Sequence, residues 1–158
     1  MSFTALLHYI RINMENQKLI LPAVAAVIFN DEGEILLQKR SDVDLWCIIS
    51  GHVEFGETVE EAILREIFEE TNAHAEIVRL IGIYSSPDSQ TYFYKNKTVQ
   101  YITTYFEARL TEAIPTGFSN NETQELRFFK PNDIPGNFAL INAYWLTDAY
   151  NKETVFLR

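Results

Sequence analysis

The chain has 158 residues, of which 47% are hydrophobic and 13% aromatic, a composition that predicts one folded domain and excludes a disordered chain. Its 13 basic and 22 acidic residues give a formal charge of −9, which argues against nonspecific binding to nucleic-acid polymers or anionic membranes. Cys47 is the only cysteine, so no intrachain disulfide can form and a reducing, cytoplasmic location is expected.

The predicted elements begin with a short amphipathic helix at about residues 3–12, for which two roles are open: capping the domain or mediating a homodimer. Residues 19–30 are rich in Val, Ile and Ala and end in a turn signal at residues 30–33, so they predict the first strand of a hairpin. Residues 34–40 would form its second strand, and residues 45–50 a short buried strand.

The next element is a helix that begins after Thr58, with Glu61 three residues on as the second half of a capping box. Its apolar side chains fill one arc of the helix, which should pack on a sheet. These side chains are Val59, Ile63, Leu64, Ile67 and Phe68.

The second half of the chain predicts strands at residues 74–84, 98–110, 125–129 and 154–157. Residues 85–97 are polar and aromatic, as in a loop or hairpin tip, and residues 138–150 predict an amphipathic closing helix. Because strands and helices mix without a strict βαβ rhythm, the pattern predicts an α/β fold with a mixed sheet between helices.

Three carboxylates share one face of the helix that follows Thr58. At about 100° per residue, Glu70 lies about 40° from Glu66 on the helical wheel and Glu69 lies about 60° away on the other side. Such a cluster is unfavourable unless a cation lies among its members, and oxygen ligands on a stiff helix suit Mg²⁺ or Mn²⁺. The alternative is a solvated acidic face.

The wider spacing favours the metal site over the solvated face. Residues 51–73 fit the pattern G-x5-E-x7-R-E-U-x-E-E-x-G-U, where U is aliphatic, at Gly51, Glu57, Arg65, Glu66, Ile67, Glu69, Glu70 and Ala73. The one departure is Asn72 in place of glycine, and Asn is the next-best residue for a left-handed helix end. This pattern is the signature of the Nudix hydrolases, so the chain resembles a MutT-like member of that family.

The resemblance implies an α/β/α sandwich, with residues 1–158 as a single Nudix hydrolase domain and the N-terminal helix as an appendage. It also implies an ion pair between Glu57 and Arg65, which would support catalysis by bracing the loop against the helix. The alternative for Glu57, a charge that favours the helix dipole, is compatible with that role.

The resemblance further implies that Glu66, Glu69 and Glu70 bind Mg²⁺ or Mn²⁺, together with the main-chain carbonyl of Gly51. The general base is left open by the family, in which either a box glutamate at the position of Glu66 or Glu69 or a glutamate outside the box activates water.

Two glutamates outside the box, Glu122 and Glu125, precede a predicted strand and are candidates for this base. Glu125 is the preferred one, and the alternative is that both are plain surface residues.

Two groups are candidates for contacts with the substrate. Lys39 and Arg40 end a strand that feeds the site, where one of them would bind a phosphate unless both are simply solvated. Tyr92, Phe93 and Tyr94 either stack on a base or pack within the protein.

The resulting expectation is Mg²⁺-dependent hydrolysis of a pyrophosphate bond in a nucleoside diphosphate linked to another moiety. ADP-ribose-like or sugar nucleotides and (d)NTPs rank equally as substrates. The alternative is a nucleotide-sensing, non-hydrolytic binding module with the Nudix fold, but such modules usually lose box carboxylates that this chain keeps. No membrane partner is expected, because the longest apolar stretch, residues 19–29, is too short to span a bilayer and contains Pro22.

Overall fold

The computed structural model describes residues 17–139 and 141–158, so the helix predicted for residues 3–12 lies outside the described residues, as do both of its roles. The strands are β1 (Gln17–Ile28), β2 (Ile35–Arg40), β3 (Trp46–Cys47), β4 (Ile49–His52), β5 (Ala75–Tyr84), β6 (Thr91–Tyr94), β7 (Lys97–Leu110), β8 (Thr123–Phe129) and β9 (Phe156–Leu157). The helices are α1 (Val59–Thr71), α2 (Pro87–Gln90) and α3 (Trp145–Tyr150), with a 3-10 turn at Pro131–Asp133.

The strands form two sheets. The larger has the order β4-β1-β7-β5-β9, with β6 also paired to β7, and the smaller has the order β3-β2-β8. In the larger sheet β1 pairs with β7 and β5 with β9 in parallel, whereas the other neighbours are antiparallel. The sheet is therefore mixed, and α1 and α3 belong to the two cores on its opposite faces, which confirms the predicted α/β/α sandwich.

Strand β1 is central, and its C-terminal half is buried on both faces. Because successive side chains point to opposite faces, Ala25 belongs to the core that contains Trp145 of α3. Its neighbour Val24 belongs to the core that contains Ile63 of α1. This strand therefore anchors the edge strand β4, which leads into the loop before α1.

Helix α1 starts and ends as predicted. The hydroxyl of Thr58 accepts a hydrogen bond from the N–H of Glu61 at 3.2 Å, and the Glu61 carboxylate accepts one from the N–H of Thr58 at 2.8 Å. Asn72 closes the helix in the left-handed conformation, with φ of 52°. Phe68 differs from the expectation, because it is 41% exposed and its ring lies 4.7 Å from that of His74 instead of in the core.

The predicted hairpin of residues 19–40 forms only at its turn. The N–H of Asn30 donates to the carbonyl of Glu34 at 3.0 Å, and Phe29 and Ile35 form an isolated antiparallel β-bridge. Beyond this turn, β1 and β2 belong to different sheets. The single strand predicted at residues 45–50 is likewise wrong, since β3 and β4 belong to different sheets.

The closing helix is shorter than predicted, because residues before α3 make other contacts. Phe138 forms a parallel bridge with Trp46, and the side-chain oxygen of Asn142 accepts a hydrogen bond from the N–H of Tyr144 at 2.8 Å. Residues 85–97, expected to form a loop or a hairpin tip, contain α2 and β6, and β6 forms a hairpin with β7.

Within the described ranges, none of the helices combines the length and apolar character needed to cross a membrane.

Candidate active site

Arg65 connects α1 to the loop that precedes it. Its guanidinium donates two hydrogen bonds to Glu57, at 2.6 and 3.1 Å, and one to the carbonyl of His52 at 3.0 Å. Its other two bonds reach Glu66 at 2.8 Å and Glu69 at 3.1 Å. All five N–H donors of the guanidinium are therefore engaged, and the ion pair expected between Glu57 and Arg65 is present. The same contact holds the pKa of Glu57 below its ordinary value.

Glu66 lies directly against the main chain of Gly51 in β4. A Cβ atom added to Gly51 would collide with the Glu66 carboxylate, so only glycine leaves room for it. Burial raises the pKa of Glu66; the Arg65 contact lowers it in part, and the negative charges of Glu69 and Glu122 raise it further.

Glu70 is buried, at 2% exposure, and its Oε2 atom has no hydrogen-bond partner among the described residues. Burial raises the pKa of Glu70 to about 8, with further increases from the negative charges of Glu66 and Glu122. Gln38 and Arg40 lower it only in part. A buried carboxylate oxygen without a partner is costly, and a bound cation would offset that cost.

The loop before β8 is fixed at the C-terminal end of α1. The side-chain amide of Asn120 donates to the carbonyl of Glu69 at 2.8 Å, and the hydroxyl of Thr123 donates to the carbonyl of Glu70 at 2.9 Å. These bonds satisfy carbonyls that the helix leaves unpaired and bring Glu122 close to the box carboxylates. A depression of about 390 Å³ is lined by Glu69, Glu70, Asn120, Asn121 and Glu122.

Glu125, the base preferred from the sequence, lies elsewhere. It pairs with Arg127 on its own strand and lines a separate depression together with residues of the segment 114–119. Glu122 is the glutamate from outside the box whose charge raises the pKa of Glu70.

The three box carboxylates differ in their surroundings. The side chain of Glu69 is 57% exposed and that of Glu66 is 12% exposed, and both are held by Arg65. Across residues 17–139 and 141–158, no three His, Cys, Asp or Glu side chains are gathered closely enough to hold a metal ion.

Two observations nevertheless indicate that the box carboxylates fit a divalent cation. The Oε2 atom of Glu70 is buried without a partner in the part of the chain that the structure describes, and the Glu66 carboxylate occupies the space beside Gly51. Carboxylate and carbonyl oxygens are the donors that Mg²⁺ and Mn²⁺ prefer.

A cleft of about 290 Å³ lies on the face of the larger sheet that bears α3. The base of the cleft is open because β1 contributes the small side chains of Ala23 and Ala25 there. Gly51 and Arg40 line the part nearest the carboxylates. The other strands contribute Ser50, His52, Tyr92, Tyr94, Tyr101 and Thr103.

The two basic residues predicted to bind phosphate are separated. Arg40 lines the cleft and makes two hydrogen bonds to Asp42, at 2.8 and 2.9 Å. Lys39 pairs with Asp44 at 3.0 Å and does not line the cleft. The structure thus brings only Arg40 of these two to the cleft.

Some residues of the site were not identified from the sequence. Gln38 is buried beside Glu70 and donates to the hydroxyl of Thr123 at 2.7 Å, and Tyr101 contacts His52 in the cleft. The signal for Gln38 is an amide in an otherwise apolar strand segment, because a buried amide needs partners.

Comparison with known proteins gives the family. The model of the NUDIX domain matches residues 19–149. The chain is 45% identical over 64 residues to a Bacillus subtilis (strain 168) protein provisionally named 8-oxo-dGTP diphosphatase, covering 40% of this chain and 43% of that protein. It is 44% identical over 71 residues to the ADP-ribose pyrophosphatase of Methanocaldococcus jannaschii, covering 42% of each.

The matched segment therefore spans about two fifths of the length of these two relatives. A solved structure of UDP-X diphosphatase superposes with a TM-score of 0.67 at 25% identity, covering 92% of this chain and 68% of that one. Because the family model covers most of the chain and the signature residues surround the site, the chain belongs to the NUDIX family.

Proposed function

We propose that this chain hydrolyses a pyrophosphate bond in a nucleoside diphosphate linked to another moiety, with Mg²⁺ or Mn²⁺ as cofactor. The observation that carries the proposal is the buried Oε2 atom of Glu70, which lies near Glu66 and Glu122 and has no hydrogen-bond partner within residues 17–139 and 141–158. Family membership and a relative named as an ADP-ribose pyrophosphatase support it. A cytoplasmic location belongs to the same proposal and agrees with the free thiol of Cys47.

The residues that would hold the ion are Glu66, Glu69 and Glu70, with the main-chain carbonyl of Gly51. When bound, a divalent ion neutralises the charge that develops on the pyrophosphate oxygens during hydrolysis.

Arg65 would position the carboxylates and not contact the substrate, because its five donors are already engaged within the protein. Arg40 lies in the cleft and is the candidate for a phosphate contact. Glu122 is the candidate that accepts a proton from the attacking water, since it lies outside the helix but beside Glu70. Glu69, the most exposed box carboxylate, is the second candidate.

The test is a hydrolysis screen over ADP-ribose, sugar nucleotides, dinucleoside polyphosphates, NADH and the (d)NTPs, with Mg²⁺ or Mn²⁺ and with products identified. We expect a defined pair of products whose formation needs the ion. Turnover should fall by orders of magnitude in Glu69→Gln and Glu70→Gln. Glu60→Gln is the matched control, because Glu60 is an exposed residue of the same helix outside the signature.

Wild-type rates in Glu69→Gln and Glu70→Gln would overturn the metal-site assignment. If the protein bound nucleotides but hydrolysed none of them with either ion, the result would favour the non-hydrolytic sensing module.

A further inference from the structure

The cleft contains a cluster of aromatic side chains that the proposed hydrolysis does not use, which we call the tyrosine cluster: Tyr92 and Tyr94 of β6 and Tyr101 of β7. The Tyr92 and Tyr101 rings meet edge to face with centroids 5.4 Å apart. The Tyr94 and Tyr101 hydroxyls are 3.3 Å apart, and Nε2 of His52 lies 3.2 Å from the Tyr101 hydroxyl. His52 directly follows Gly51, so the cluster lies close to the carboxylate site.

The rings of this cluster are accessible to a ligand. Tyr92 is 41% exposed and Tyr94 is 48% exposed, yet both line a cleft, unlike aromatic residues that only pack in a core. Phe93 lies between them in β6 and does not line the cleft, because alternate residues of a strand point to opposite faces. Accessible aromatic faces in a concave site are suited to stacking on a planar ring.

The floor and wall beside these rings are held in place. Gln90 is buried and accepts a hydrogen bond from Thr103 at 2.8 Å, while its amide donates to the carbonyl of Ile141 at 2.6 Å. Ala23 leaves space above the sheet that a larger side chain would fill. A planar ring that entered the cleft would therefore contact side chains that are already ordered, so binding would cost little conformational entropy of the protein.

The charges of the cleft also restrict its ligand. Among the described residues that line it, Arg40 is the only Lys or Arg, and Asp42 already pairs with it. Lys97 lies at the outer side, 5.4 Å from the centre of the Tyr94 ring. Burial raises the pKa of Tyr92 and Tyr101, so their hydroxyls stay uncharged. The tyrosine cluster therefore suits an uncharged group and not a further phosphate.

We propose that the tyrosine cluster binds the nucleobase, and that the cleft prefers pyrophosphate diesters, which are nucleoside diphosphates esterified by an uncharged group, over nucleoside triphosphates, because Arg40 is the only Lys or Arg among the described residues that line it. The diester preference rests on the proposed function, whereas binding of the base does not require hydrolysis. Tyr92 and Tyr94 are the residues that would determine specificity.

Base recognition is tested by titration calorimetry with AMP, GMP and UMP, each compared with ribose 5-phosphate, which lacks the base. The wild type should bind at least one nucleotide more tightly than ribose 5-phosphate. Tyr92→Ala and Tyr94→Ala should weaken that nucleotide by about fivefold to a hundredfold, as expected for loss of base stacking, and leave ribose 5-phosphate unchanged.

Phe93→Ala is the matched control, because it removes an exposed ring from the same strand on the other side. It should bind as the wild type does, and Tyr94→Phe should keep most of the affinity because the ring remains. Equal binding of nucleotides and ribose 5-phosphate by the wild type, or an equal loss in Phe93→Ala, would overturn base recognition by the cluster.

The preference is tested by comparing kcat/KM for ADP-ribose and UDP-glucose with kcat/KM for ATP and UTP. We expect the diesters to be favoured by at least about tenfold, a difference of about 1.4 kcal/mol in transition-state stabilisation. Favoured triphosphates would overturn the preference. If no compound is hydrolysed, the proposed function fails, while the calorimetry still decides whether the cluster binds a base.

Discussion

The carboxylate of Glu66 occupies the space that a side chain at residue 51 would fill. Gly51 belongs to the edge strand β4 and Glu66 to α1, so this contact joins the sheet to the helix that carries the other box carboxylates. Glycine at residue 51 therefore allows the Glu66 carboxylate to keep this position.

Gly51→Ala should displace Glu66 and lower turnover by about a hundredfold, because a displacement of about 1 Å at a catalytic group has such an effect. Gly136→Ala is the matched control, since no atom of the described residues lies within 4 Å of a Cβ atom added there and its φ is not in the left-handed region. Both variants are compared with the wild type by steady-state rates on the substrate found in the screen. A Gly51→Ala enzyme with wild-type turnover would contradict a role for Glu66 beside Gly51.

Arg65→Ala should lower both stability and turnover, because Glu57 and Glu66 lose their shared partner in a partly buried setting. We expect a loss of at least about 2 kcal/mol in the free energy of unfolding, measured by urea denaturation. Arg65→Lys should recover little of the lost stability and turnover, since an ammonium group cannot make five hydrogen bonds in the same planar arrangement.

The control for Arg65 is Arg109→Ala, which breaks an exposed pair with Glu76 and should cost less than about 1 kcal/mol. An Arg65→Ala protein as stable and as active as the wild type would show that the five bonds do not organise the site.

The features predicted correctly from the sequence are mostly local. The capping box of α1 depends on Thr58 and Glu61, three residues apart, and the left-handed end depends on Asn72, so short-range chemistry suffices to place this helix. The ion pair of Glu57 with Arg65 followed from the spacing of a known signature.

The features that the sequence did not predict depend on contacts between distant segments. The strands β1 and β2 are adjacent in the chain but enter different sheets, because β1 pairs with β4 and β7 while β2 pairs with β3 and β8. Which of Glu122 and Glu125 lies beside the box carboxylates similarly depends on how Asn120 docks on α1, 51 residues earlier. Local patterns contain no information about such docking.

Arg40→Ala and Lys39→Ala should differ, although the two residues are adjacent. Because Arg40 lines the cleft, its loss should raise KM by about tenfold or more, as expected for a charge-assisted contact to phosphate. Lys39→Ala should leave KM within about twofold, because it only breaks a pair with exposed Asp44. Equal effects of the two substitutions would contradict the assignment of Arg40 to the phosphate.

Glu122→Gln should lower kcat by about a hundredfold or more with a small change in KM, as expected for loss of a general base. Glu125→Gln is the comparison, and it should keep most of the activity because Glu125 pairs with Arg127 away from the carboxylates. The reverse pattern would return the role of base to Glu125.

Glu70 links stability to both pH and metal. Without metal, burial raises the pKa of its carboxyl to about 8 from an ordinary value of 4.5, so the folded protein holds a proton that the unfolded chain releases. The stability contributed by this proton is complete below about pH 4.5 and is lost as the pH rises through about 8, by at most about 1.4 kcal/mol for each pH unit. A cation that binds the ionised carboxylate should reverse the loss.

The most direct measurement is the thermal unfolding midpoint of the wild type and of Glu70→Gln between about pH 5 and pH 8.5, in EDTA and in Mn²⁺. We predict that in EDTA the wild-type midpoint falls with rising pH more steeply than that of Glu70→Gln. Mn²⁺ near pH 8 should raise the wild-type midpoint and have little effect on the variant. The same pH slope and the same Mn²⁺ shift in both proteins would contradict a cation site at Glu70.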